Sequence, residues 1–222
     1  MEIPPMHRWD VSFEQAVAIQ QQLRQQVSLV DDPILNQPGG VRCIAGVDMS
    51  AKGVARAAIV VLSFPELDLL EAVTAEQPLD FPYVPGFLSF REAPAVLAAL
   101  AKLTVTPDLI MFDGQGIAHP RRLGIAAHLG VLLDRPTLGC AKSLLSGKPA
   151  AELAQERGAT VPLIDKGEEI GAVVRTRSGV NPVYISPGHR ISIATAVRYT
   201  LLCSSGKLRL PEPTRLAHNA AA

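Results

Sequence analysis

Apolar residues at Phe13, Val17, Leu23, Val27 and Val30 recur at near-helical spacing among glutamines, with Ala16 and Ile19 widening the same face. Ser12 stands where an N-cap belongs, so the pattern predicts an amphipathic helix ending before Asp32-Pro33. Residues 36–40 form a loop rich in Pro and Gly. The pattern then shortens. Residues 43–48 are an apolar strand ending on a lone aspartate, Asp48. After a turn around Lys52-Gly53, residues 57–64 and 67–74 predict two more strands, joined through Pro65-Glu66 as an antiparallel meander.

Residues 78–86 are proline-rich and aromatic, too broken for regular structure. Val96, Leu97, Leu100 and Leu103 mark a helix over 90–103. A second buried strand, Leu109-Ile110-Met111-Phe112, also ends on one acid, Asp113. Glycines, a His-Pro pair and two arginines follow before a helix over 123–133. A short strand over 136–141 leads to Lys142. The pattern then predicts a helical turn at 151–156, strands at 168–176 and 182–185 around an Arg-Ser-Gly turn, and a helix over 193–202. From Pro211 an extended tail is expected. A helix, a meander, then strands alternating with helices predict an α/β or α+β domain with a mixed sheet. No internal repeat or low-complexity tract interrupts it.

The 222 residues suit one domain spanning 1–222, with 1–40 as N-terminal helix and loop and 206–222 as a C-terminal tail. Apolar residues make up 48% and charged residues 19%, which excludes a disordered chain. The 21 basic and 21 acidic residues cancel, so nucleic-acid binding would need a local basic face. Cys43, Cys140 and Cys203 lie far apart without metal-ligand spacing, the pattern of free thiols in a reducing, cytoplasmic setting. No signal pattern or membrane-length apolar run is present. A monomer is the default expectation.

Two separate strands ending in aspartate can lie side by side, and carboxylates brought together repel unless a cation sits among them. Hard divalent ions take such oxygen ligands and suit phosphate-ester chemistry. Each aspartate alone has the competing reading of a turn or capping residue. On pattern alone Glu92 reads first as a capping residue: Ser89-Phe90-Arg91-Glu92 has capping-box spacing, in which the acid would satisfy a backbone N–H. Tyr83 on the stiff Pro82-Tyr83-Val84-Pro85-Gly86 loop is either a partly buried tyrosine or an aromatic able to enter a base stack. Gly114 and Gly116 permit close backbone approach to a ligand. His119, Arg121 and Arg122 are candidates for phosphate contact, against a solvated helix start. Lys142 is a candidate partner for a phosphate, against an ordinary surface lysine. His189 suits a turn or a site, and His218 has no pattern around it.

Several segments together resemble the endonuclease V family. They are Ala45-Gly46-Val47-Asp48, the block PYVPGFLSFRE from Pro82 to Glu92, the block DGQGIAHPRRLG from Asp113 to Gly124, Gly139-Cys140-Ala141-Lys142-Ser143, and Leu210-Pro211-Glu212-Pro213-Thr214-Arg215. The resemblance implies a ribonuclease H-like fold, with a central mixed sheet, an N-terminal three-strand antiparallel meander and flanking helices. It implies metal-binding carboxylates at Asp48, Glu92 and Asp113, so Glu92 takes a site role in place of a capping one. It places His218 as ligand or water-positioner, His189 in support, and Lys142 and His119 at the scissile phosphates. The loop Pro82, Tyr83, Val84, Pro85, Gly86, with Leu88, would be the wedge. Gly114, Gln115, Gly116, Ile117, Gly139, Ser143 and Leu145 would surround the extruded base, with Leu144 nearby and Arg121 on the nucleic acid.

The implied activity is repair cleavage of DNA carrying deaminated bases, chiefly deoxyinosine, at the second phosphodiester bond 3′ to the lesion. The implied cofactor is Mg2+, with Mn2+ able to substitute. Inosine-containing RNA is an alternative substrate, and a branched- or flap-DNA nuclease of the same fold an alternative enzyme. A non-catalytic lesion-binding module is the alternative from another class.

Overall fold

The structure, a computed structural model, describes residues 1, 3–4, 7–51 and 53–222; Lys52, in the turn expected around Lys52-Gly53, lies outside the described residues. Three strands open the sheet: β1 (Cys43–Ser50), β2 (Ala55–Ser63) and β3 (Leu69–Gln77). They pair antiparallel in the expected meander. The chain then crosses through helix α2 (Leu88–Leu100) to β4 (Leu109–Phe112), and through α3 (Ile125–Leu133) to β5 (Thr137–Ala141). Both β4 and β5 join the sheet parallel to β1, in the spatial order β1, β4, β5. Strands β6 (Lys148–Pro149), β7 (Thr160–Asp165), β8 (Glu168–Val174) and β9 (Val183–His189) complete a nine-stranded mixed sheet, with β9 antiparallel to β5.

The two-residue period of the central strands sorts their side chains between two cores. Ala45, Val47, Ile110 and Phe112 pack with Ala93, Val96, Leu100 and Leu129 of α2 and α3. Ile44, Leu109, Met111 and Leu138 pack on the opposite face with Ala196 and Tyr199 of α4 (Ile193–Leu202). A last helix, α5 (Glu212–Ala221), lies against β1 and β2. The residue parity that faces Ile44 toward this second layer also faces Gly46 and Asp48 toward α5.

Four expectations change. The first helix, α1 (Phe13–Leu23), is shorter than its periodicity suggests, although Ser12 caps it in a capping box with Gln15. Val27 leaves helical geometry, and Val30 is 76% exposed. The chain is drawn away because Arg190 N–H donates to Ser28 O and Asp32 N–H donates to Arg190 O, at 2.7 and 2.9 Å. Helix α2 begins at Leu88 with Phe87 at the cap, so Ser89 lies inside the first turn. Its hydroxyl bonds His128 Nδ1 at 2.9 Å, and the capping box is not formed. Residues 151–156 stay irregular, since the Arg175 guanidinium takes the Leu153 and Ala154 carbonyls. The tail after Pro211 is helix rather than extended chain. Strands β6 and β7 had no expected counterpart; Pro162 inside β7 weakens its strand pattern.

Candidate active site

Neighbouring parallel strands bring their C-terminal ends together, and the site lies there. Asp48 sits two residues before the end of β1. Asp113 follows β4, and its N–H donates to Val47 O at 2.8 Å, extending the ladder by one rung. Lys142 follows β5. Its Nζ pairs closely with Asp113 and lies 3.5 Å from Asp48 Oδ2. Helix α5 adds His218, whose Nδ1 is 2.6 Å from Asp48 Oδ2 and 3.2 Å from Lys142 Nζ. One ligand atom each from Asp48, Asp113 and His218 falls within 4.8 Å of the others.

Glu92 arrives from α2, in the layer on the opposite face, and stands outside that trio. It nevertheless belongs to the same electrostatic group. Enclosure by protein, then the charges of Asp48 and Asp113, push its carboxyl up to about 8. Burial and the Asp48 charge push Asp113 up to about 6, against the pull of Lys142. Burial works against the charged form of Lys142, but Asp113 and Asp48 outweigh it and hold the ammonium above its ordinary value. Three mutually opposed carboxylates beside one ammonium form a site short of positive charge. An oxygen-rich donor set with one imidazole fits a hard divalent ion, and Asp48, Asp113, Glu92 and His218 are the residues that would hold it.

Beside this group opens a cavity of about 290 Å3. Tyr83, Val84, Pro85, Gly86 and Leu88 form one wall; Asp113, Gly114, Gln115, Lys142, Ser143 and Leu145 form the other. Tyr83 is 71% exposed at its rim, which removes the reading of a partly buried tyrosine. Gln115 Nε2 donates to Ser143 O at 2.9 Å, while its Oε1 is a buried acceptor without a protein partner among the described residues.

Several expected wall residues lie behind the cavity. Gly116 N–H donates to Ser186 Oγ at 2.8 Å, and Ile117 N–H to Pro187 O at 2.8 Å, so both are packed onto β9. Gly139 supports the 114–116 turn: a Cβ there would meet Gly114 O at 2.4 Å and Gly116 N at 2.6 Å. Pro82 faces a separate hollow under α2 with Phe81 and Arg91.

The expected phosphate contacts of the 119–122 segment are also redirected. His119 is buried and its Nε2 meets Gly86 O at 3.0 Å; burial and the Arg121 charge push it down to about 4, so it is neutral. Arg121 is committed to Gly86 O and Gln20. Arg122 pairs with Asp165 and Glu168 at 2.8 and 3.0 Å. His189 lies apart from the carboxylates, between Ser28 N–H and Asp134.

Sequence reasoning missed Gln20, which is wholly buried, and Arg209, whose guanidinium holds the Lys142 carbonyl at 2.6 Å. No local pattern marks either. It also missed α5, for which a signal existed: Glu212-Pro213 at a first helical turn before an alanine-rich run is a helix start.

The mixed sheet, entered by an antiparallel meander and carrying carboxylates on adjoining parallel strands, defines a ribonuclease H-like protein with a nuclease-type site. A family model described as Endonuclease V matches residues 21–219. Over 224 aligned residues the chain is 56% identical to Endonuclease V of Nostoc sp. (strain PCC 7120), covering 100% of this chain and 99% of that one. The crystal structure of Endonuclease V from Streptomyces avermitilis matches with a TM-score of 0.88 at 42% identity, over 96% of this chain and 92% of that one. Endonuclease V of Ciona intestinalis, solved in complex with a 23mer DNA containing an inosine followed by a ribo-adenosine, matches with a TM-score of 0.79 at 27% identity, over 95% and 97% of the two chains. The chain belongs to the endonuclease V family of nucleases. No helix among the described residues is long and apolar enough to cross a membrane.

Proposed function

We propose that this nuclease acts in DNA repair on deaminated bases, chiefly deoxyinosine. It hydrolyses the second phosphodiester bond 3′ to the lesion, leaving a 3′-hydroxyl, a 5′-phosphate and the base still attached. The observation that carries this reading is the juxtaposition of the Asp48, Asp113 and His218 cluster with the cavity behind Tyr83. The cavity volume falls just under the ~300–1,000 Å3 range of small-ligand pockets, a size for one base. The Ciona relative's inosine complex supports the same substrate.

In this reading Tyr83 enters the stack where the lesion leaves it. Extrusion costs a few kcal/mol, less for a poorly paired base, which favours deaminated sites. Gln115 Oε1, buried and unpaired, is an acceptor for a base N–H, its orientation fixed by the bond from Nε2 to Ser143 O. Asp48, Asp113, Glu92 and His218 would hold Mg2+ or Mn2+, and such an ion would supply Lewis acidity and lower the pKa of a bound water. His218 Nδ1 fixes the outer oxygen of Asp48, and Lys142 carries a positive charge at the mouth of the cavity, where a scissile phosphate would pass.

Asp113→Ala or Asp48→Ala should abolish Mg2+-dependent nicking of an inosine oligonucleotide while sparing lesion binding. Near wild-type cutting by either variant refutes the assignment. The ribo-adenosine after the inosine in the Ciona complex favours a second reading, cleavage beside a ribonucleotide. The same assay on inosine DNA and inosine RNA separates the two.

A further inference from the structure

The wedge loop is tied to the body of the protein by a cluster of hydrogen bonds on one atom. The Gly86 carbonyl oxygen accepts from Gln20 Nε2 at 3.0 Å, His119 Nε2 at 3.0 Å and Arg121 Nη2 at 2.7 Å. These donors come from α1 and from the loop after β4, elements far apart in the chain. They are also joined to one another. Arg121 Nε donates to Gln20 Oε1. Arg121 N–H donates to His119 Nδ1 at 3.1 Å, which makes Nδ1 the bare nitrogen and leaves the proton on Nε2, facing Gly86. The guanidinium also lies 4.3 Å over the Phe87 ring.

Each partner's identity matters. Gln20 is wholly buried on α1, where an apolar residue would pack at lower cost, and both ends of its amide are used. Gly86 has φ +84°, and a Cβ there would come within 2.9 Å of Arg121 Nη2. One carbonyl with three donors, two of them buried, is a pinned point on a loop whose Pro82, Tyr83 and Pro85 are exposed.

We propose that Gln20 and Arg121 are positioning residues, which fix the wedge loop over the Asp113 strand tip and so set how well a lesion is told from an ordinary base. This rests on the inosine-nuclease reading. It assigns Arg121 an inward role in place of phosphate contact, and gives α1 a part in recognition although none of its residues lines the cavity.

The test uses the full chain. Gln20→Met keeps the volume and removes both amide bonds. Arg121→Lys keeps the charge and removes the fork that reaches Gly86 and Gln20 together. Both are compared with wild type and with Tyr83→Ala for KM and kcat on an inosine duplex and for the ratio of inosine to unmodified duplex binding. Each should raise KM on the order of tenfold, more than it lowers kcat, and narrow the binding ratio similarly. In a Tyr83→Ala background neither should have a further effect on that ratio, because both act through the wedge.

Effects that add in full to those of Tyr83→Ala would mean general loosening and overturn the proposal. So would wild-type discrimination in Gln20→Met. Wild-type discrimination in Arg121→Lys, which keeps the charge but loses the fork to Gly86 and Gln20, would overturn it as well. If Gln20→Met does not fold, the partly exposed Arg121→Lys decides. If Tyr83→Ala itself leaves discrimination unchanged, the wedge reading falls and this inference with it; if only the clamp variants are silent, the function stands without the clamp.

Discussion

Substitution of Gly46 by alanine tests whether α5 belongs to the active site or merely covers the sheet. Gly46 lies on β1 two residues before Asp48, on the face against which α5 packs. A Cβ at Gly46 would stand 1.9 Å from Pro213 O and 2.1 Å from Pro213 C, both backbone atoms in the first turn of α5. Ordinary carbon–oxygen contacts are about 3.3–3.6 Å, so the start of α5 must retreat by about 1.5 Å. His218 rides on the same helix with its Nδ1 2.6 Å from Asp48 Oδ2. A shift of that size breaks the hydrogen bond and carries the imidazole out of the cluster. Overpacking of this kind costs about 1–3 kcal/mol in stability. Misplacement by about 1 Å costs up to about a hundredfold in rate, near 2.7 kcal/mol. Gly46→Ala should therefore fall close to His218→Ala in single-turnover nicking of an inosine oligonucleotide, with a lowered but cooperative thermal transition. Wild-type nicking by Gly46→Ala, when His218→Ala is impaired, would refute the claim that the seat of α5 positions His218.

Lys142→Met removes the only side-chain ammonium paired with Asp48 and Asp113 among the described residues, and should lower the Mg2+ concentration needed for half-maximal nicking, because the carboxylates lose a competing cation; an unchanged requirement counts against a shared charge balance. Glu92→Gln should stabilise the metal-free protein at pH 7 by a few kcal/mol at most while abolishing cleavage. The sign follows because a carboxyl near 8 in the folded state, but near 4.5 unfolded, opposes folding at every pH above the lower value. Urea denaturation in chelator checks it, and a destabilised variant would contradict it. His119 and the wholly buried His128 are both held below the ordinary imidazole value by burial. The unfolded chain binds protons at these sites below about pH 6.5, so stability is full above that and falls as pH drops towards 4. A urea midpoint unchanged from pH 7 to 4.5 would overturn this.

Much of the molecule was legible because the relevant patterns are local. The apolar runs before Asp48 and Asp113, the meander punctuated by Pro65-Glu66, and the helices carrying Leu100, Leu129 and Tyr199 read directly from spacing. Their strand periodicity even assigns residues to one face or the other. What the chain order leaves open is which strand ends become neighbours. Asp48, Asp113 and Lys142 meet because β4 and β5 enter parallel to β1, a choice set by the crossovers through α2 and α3. Long-range contacts also overrode local ones. Capping-box spacing at Ser89 is intact in sequence, yet the helix starts two residues earlier and His128 claims the hydroxyl. The arginines after Asp113 look free in sequence, yet carbonyls and acids distant in the chain claim them.

By itself, then, the sequence determined the two aspartate-tipped strands, the mixed sheet with its opening meander, and the motif blocks that mark the family. Only the tertiary structure decided that the tail is a helix returning His218 to Asp48, that Glu92 answers the other carboxylates from the opposite layer, and that Gly86 is pinned by Gln20, His119 and Arg121. The physical reason is one of range. Propensity and periodicity act over a turn or two, whereas charge and hydrogen bonding act wherever the fold brings groups within a few ångströms.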